Sequence, residues 1–212
     1  MFSLIFATKT HKAKIQREKR KILTDLTTFD MIYTEITPNP ASLKFVTGYT
    51  FLKKGTADFP SIEALEDAPL VKKMFDFRFT EGILVGKNFI TLSKGNDFAW
   101  EEVIPVVKDF LKSYLASGQP ILTGKYLEIE ADAPINESEL EQRIRQIIDE
   151  SVRPAVEKDG GDIIYQGFED GVVSLKMQGS CSGCPSSMVT LKAGIEGLLT
   201  RMIPEVKSVI AV

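Results

Sequence analysis

The stretch Val172-Val173-Ser174-Leu175-Lys176-Met177-Gln178-Gly179-Ser180-Cys181-Ser182-Gly183-Cys184-Pro185 holds a strand, a loop and the start of a helix in succession. Val173, Leu175 and Met177 alternate with other residues, which gives a strand one buried face. Gly179 to Gly183 are small and end it. Pro185 suits the first position of a helix, where the helix makes no use of the N–H that proline lacks. Met188, Leu191, Ile195, Leu198, Leu199 and Met202 then form an apolar stripe at helical spacing, closed by Pro204.

Upstream, Ile163 to Phe168 reads as a partner strand, joined to the first by the hairpin signal Glu169-Asp170-Gly171. Asp159-Gly160-Gly161-Asp162 before it is a turn, and two glycines alone do not make a phosphate cradle. Ser138-Glu139-Leu140-Glu141 has the form of a capping box. It opens a helix with Leu140, Ile144, Ile147, Ile148 and Val152 on one face, kinked or restarted at Pro154. Downstream, Val206 to Val212 supplies a last strand. The expected module is α-β-β-α-β, of the α+β class.

The first half has its own grammar. Met31 to Ile36 is rich in strand formers and is stopped by Thr37-Pro38-Asn39-Pro40. Leu43 to Val46 and Tyr49 to Leu52 read as strand pieces. Ser61 caps an expected helix that breaks or restarts at Pro69. Gly82 to Val85 and Phe89 to Leu92 flank the turn Gly86-Lys87-Asn88. Asp97 caps a further helix carrying Trp100, Val103, Ile104, Val107, Phe110, Leu111 and Tyr114, with Pro105 expected to break or kink it. Those apolar positions are a core stripe.

Between the halves, Gly118, Pro120, Gly124 and Pro134 mark a linker with one β-prone piece, Tyr126 to Ile129. Residues 1–30 read as a disordered extension, by way of a presequence or an upstream start: a short apolar cluster precedes a lysine-rich run, the reverse of a secretory signal. The expected organisation is therefore an extension (1–30), a first domain (31–117), a linker (118–136) and a second domain (137–212), both domains small α/β-sandwich-like units.

Composition narrows the function. A net charge of −3 gives no support to nucleic-acid binding, and no apolar run is long enough to span a bilayer. The 212 residues contain 2 cysteines and 1 histidine, so there is no disulfide framework. Both cysteines share one loop, and the histidine, His11, is far away. Two thiolates do not complete the four-ligand set of zinc or an iron–sulfur cluster. The simplest source of the others is a second copy of the chain. Ser180, Ser182 and Gly183 keep the loop small around the two sulfurs. Cys184, next to Pro185, falls at or near the helix N-cap, where unpaired amides favour thiolate. Structural zinc shared across a dimer and a thiol–disulfide pair remain alternatives to a cluster at this point, although a redox pair belongs in a βαβ setting and this loop follows an antiparallel hairpin.

These motifs together resemble the Nfu-type iron–sulfur cluster scaffold and carrier proteins, related to the C-terminal part of NifU. The likeness in the second half rests on Arg153-Pro154, Asp159-Gly160-Gly161-Asp162, Gly167-Phe168-Glu169-Asp170-Gly171 and Gly179-Ser180-Cys181 through Thr190-Leu191-Lys192. In the first half it rests on Thr37-Pro38-Asn39-Pro40-Ala41-Ser42-Leu43-Lys44-Phe45. The resemblance implies that Cys181 and Cys184 of two protomers bridge a [4Fe-4S] cluster. It further implies a cluster received from upstream assembly machinery and passed to apo-proteins, with no turnover chemistry. The expected compartment is the cytoplasm, or the mitochondrial matrix if residues 1–30 are a presequence.

Overall fold

A computed structural model describes residues 31–63, 65–126, 138–182 and 185–212. The expected extension, most of the linker including 127–129, and Gly183 and Cys184 lie outside the described residues.

The first domain is one antiparallel sheet with helices against one face. Its strands are β1 (Tyr33–Ile36), β2 (Ser42–Val46), β3 (Ala57–Phe59), β4 (Thr80–Val85) and β5 (Phe89–Lys94), in the order β1-β2-β5-β4-β3. Side-chain alternation divides the faces. Leu43, Phe45, Ile83, Val85, Ile90 and Leu92 enter the core with helices α1 (Pro69–Met74) and α2 (Trp100–Ala116). On the other face Lys44, Val46, Leu84, Phe89 and Thr91 are also buried. A lone antiparallel sheet leaves that side wet, so something covers it. The second domain does.

Four expectations for this half are corrected. Tyr49 to Leu52 is not a strand. Thr47 Oγ1 accepts the Tyr49 amide and the Phe51 amide bonds the Lys87 carbonyl, so the segment crosses the end of the β4–β5 hairpin and plugs Phe51 and Leu52 into the core. The third strand of the chain comes later, at Ala57. No helix begins at Ser61: Ile62 is exposed, and helix appears only from Pro69. Finally, Asp97 is not the cap of α2, which starts after Ala99, and Pro105 lies inside a continuous helix. Proline there costs about 3 kcal/mol. The exposed first turns of α2 leave the orphaned carbonyl to water, and burying Val107, Leu111 and Tyr114, at roughly 1.5–3 kcal/mol for each large side chain, outweighs it.

Part of the expected linker packs on the first domain. Ile121 and Leu122 are buried, the Ile121 carbonyl accepts the Leu70 amide, and Tyr126 sits against Phe59.

The second domain follows its expected order. Helix α3 (Glu139–Ile147) opens with the capping box, Ser138 and Glu141 exchanging both bonds. A π-helical turn (Ile148–Val152) then leads into α4 (Arg153–Lys158), so Pro154 restarts the helix instead of ending it. Strands β6 (Gly161–Glu169) and β7 (Val172–Gly179) form the hairpin. Asp170 (φ 53°) and Gly171 (φ 89°) both adopt the left-handed conformation that a two-residue hairpin turn requires. Helix α5 (Pro185–Met202) returns the chain to β8 (Ser208–Ala211), which pairs parallel with β7. Ile195 and Leu199 are buried as expected. Met202 is exposed, and Ile203 takes its place in the core.

Candidate metal centre

Cys181 sits where two glycine-containing turns meet. Gly179 (φ 61°) lets β7 bend into the loop, and Gly160 (φ 79°) does the same between α4 and β6. The two turns are tied together: the Ser180 amide donates to the Gly160 carbonyl at 3.2 Å, and Ser180 Oγ donates to the Asp159 carbonyl at 2.6 Å. The Ser182 amide closes the loop onto the Gly179 carbonyl at 3.0 Å. Ser180 thus positions the loop backbone, a more specific role than the small size expected of it.

The sulfur itself points inward. Cys181 is 6% exposed and joins the core of the second domain with Val156, Ile163 and Met177. It lies over Gly161, where a Cβ would come within 2.4 Å of Sγ. Gly161 therefore provides the space for the thiol. Gly161→Ala is expected to lower the stability of the apo-protein by about 1–3 kcal/mol through this overpacking; a thermal midpoint equal to the wild type would rule the contact out.

Electrostatics at Cys181 favour the thiol over the thiolate. Burial pushes its pKa from 9.0 up to about 11, the Asp159 and Asp162 carboxylates push the same way, and only the Ser180 hydroxyl opposes them. That is roughly 3 kcal/mol against ionisation. The helix-start expectation concerned Cys184, which lies outside the described residues. The Cys181 proton must leave when a metal arrives.

A cavity of about 430 Å³ opens beside the sulfur, lined by Pro38, Val156, Asp159, Ser180, Cys181 and Leu191. Pro38 comes from the first domain. Among the described residues, no three His, Cys, Asp or Glu side chains gather in a metal-holding group, and no helix is long and apolar enough to cross a membrane.

Sequence reasoning left Gly160, Gly161 and Pro38 out of the site. The Asp159-Gly160-Gly161-Asp162 run was legible as a turn. That it cradles a cysteine twenty residues later depends on the β6–β7 register, which sets Gly161 opposite Gly179.

A cysteine loop between a hairpin and a helix, in a small α+β domain that follows a separate sheet domain, defines a two-domain protein of the NifU-like class. Residues 144–210 match the NifU-like domain family, and residues 32–118 match the scaffold protein Nfu/NifU N-terminal domain family. The mitochondrial NFU1 iron-sulfur cluster scaffold homolog of Drosophila sechellia is 43% identical over 179 residues, covering 84% of this chain and 63% of that protein. Its counterpart in Homo sapiens is 41% identical over 179 residues, covering 84% of this chain and 70% of that protein. The chain thus spans less than two thirds of the first of these relatives. The solution structure of a NifU-like protein from Saccharomyces cerevisiae aligns at 22% identity with a TM-score of 0.41, over 45% of this chain and 86% of that one. The chain belongs to the NFU1 iron–sulfur cluster scaffold family.

Proposed function

We propose that this protein is an iron–sulfur cluster scaffold and carrier whose cargo is a [4Fe-4S] cluster held by Cys181 and Cys184 of two protomers. The observation that carries this reading is that the only two cysteines of the chain stand in one loop of the domain matching the NifU-like family. Two thiolates per chain supply half of a four-cysteine ligand set, and a second copy supplies the rest. The loop backbone, held by Ser180 and the Gly160 carbonyl, sets where Cys181 stands. Thiolate ligation with no further protein ligand suits a cargo that must leave again for an apo-protein. No turnover chemistry is assigned. The relatives' names carry the word mitochondrial, which favours the mitochondrial matrix over the cytoplasm.

Anaerobic reconstitution of the full chain with iron and sulfide tests the reading. The expected product is a brown protein carrying one [4Fe-4S] complement per pair of chains. Stoichiometric zinc without sulfide would replace this reading by a structural-zinc dimer. A reversible Cys181–Cys184 disulfide with reductase activity would replace it by an oxidoreductase.

A further inference from the structure

The two turns that meet at Cys181 both rest on the sheet of the first domain. Leu84 stands 2.6 Å from where a Cβ on Gly179 would be, and Thr91 Oγ1 is 2.9 Å from the same position on Gly160. Lys44 Nζ, paired with Glu35 at 3.0 Å, also donates to the Lys158 carbonyl at the end of α4 at 3.1 Å. At β3 a further contact reaches beneath the sulfur. The Thr56 hydroxyl, just ahead of that strand, donates to Oδ2 of Asp162.

Asp162 follows Gly161, the glycine that makes room for the Cys181 thiol. Its side chain is 2% exposed, and a carboxylate so buried is tolerated only when its oxygens are bonded. Oδ1 accepts the Ile163 amide at 2.6 Å. Arg153 Nε stands 3.7 Å from the same oxygen, an ion pair too long for a hydrogen bond, and that nitrogen is buried without a hydrogen-bond partner. The bond to Oδ2 comes from the other domain. Asp58, two residues beyond Thr56, faces the second turn: burial pushes its carboxyl pKa up, against the pull of the Gly179 amide and Lys176.

We propose that Thr56 of the first domain is a positioning residue for the cysteine site, holding Cys181 in place through Asp162 and Gly161. Without its hydroxyl, Oδ2 of Asp162 is left buried and unbonded, a cost that turning toward water relieves. Asp162 then carries Gly161 out from under the sulfur, and the thiol loses its seat. The bearing of this contact on cluster binding rests on the carrier reading; its bearing on the thiol does not.

The test is the rate at which iodoacetamide alkylates Cys181 in the full chain carrying Cys184→Ser, which leaves one thiol. Thr56 is only half-buried, so valine is accommodated there. Adding Thr56→Val, which keeps the shape and removes the hydroxyl, is expected to speed alkylation about tenfold or more, the scale of one hydrogen bond to a buried charge. Adding Thr56→Ser instead, which keeps the hydroxyl, should give the rate of the parent. Amide exchange over residues 103–111 of α2 should be the same in all three, placing the change at the loop. An unchanged rate with Thr56→Val, or a rate with Thr56→Ser as fast as with Thr56→Val, would overturn the positioning role. So would exchange over 103–111 that quickens in step with alkylation, because the opening would then be global. Wild-type protein that takes up no iron and sulfide would remove the carrier reading alone, since the alkylation rates decide the role of Thr56 with no cluster bound.

Discussion

In the Cys181→Ser variant, anaerobic reconstitution is expected to leave no retained iron and sulfide, and the brown chromophore should be absent. An alcohol does not replace a thiolate as a soft ligand, and with a single cysteine per protomer a dimer offers only two thiolates. The loss should be complete. Cys184→Ser should behave alike in the cluster assay. The two differ from a disinterested surface substitution in one respect for Cys181: its sulfur is part of the second-domain core. Exchanging it for a hydroxyl places a polar group among apolar neighbours, so the apo-protein is expected to lose about 1–2 kcal/mol and to melt a few degrees lower while keeping its circular dichroism spectrum. The sequence stripes alone excluded both sulfurs from the core and implied no such cost. A full complement of iron and sulfide in either variant would refute the ligand assignment.

The second large effect concerns assembly. Reconstituted protein is expected to sediment as a dimer and the chelated protein as a monomer, because the cluster itself forms much of the bridge. On the proposed reading each chain would contribute the same loop, so the contact would be isologous with the cluster on the twofold axis. Removing a ligand that binds only the assembled form withdraws its stabilisation by mass action. A cluster-loaded monomer, with the full iron count on one chain, would mean that an external thiol such as glutathione completes the ligand set. Chelation that leaves the dimer intact would place the interface elsewhere on the protein.

The division between what was legible and what was not follows the range of the forces involved. Local bonding was legible: the Ser138–Glu141 capping box, the Asp170-Gly171 hairpin and the restart at Pro154 each depend on residues within a few positions of one another. The strand periodicity of β7 and the helix stripe ending in Leu199 were legible because burial of one face imposes a fixed spacing. The errors came where tertiary packing overrode local preference. Phe51 and Leu52 reach the core from a loop, Pro105 is carried inside α2 by the stripe around it, and Met202 yields its place to Ile203.

The sequence by itself determined the α+β class, the order of elements in the second domain and the cysteine pair as the only thiols of the chain. Only the tertiary structure decided the state of Cys181. Its burial over Gly161, its raised pKa and the seating of Asn39 on Ser182 join residues 20 to 143 positions apart. No local signal encodes such contacts, because they exist only once the β6–β7 register and the docking of the two domains have brought the segments together.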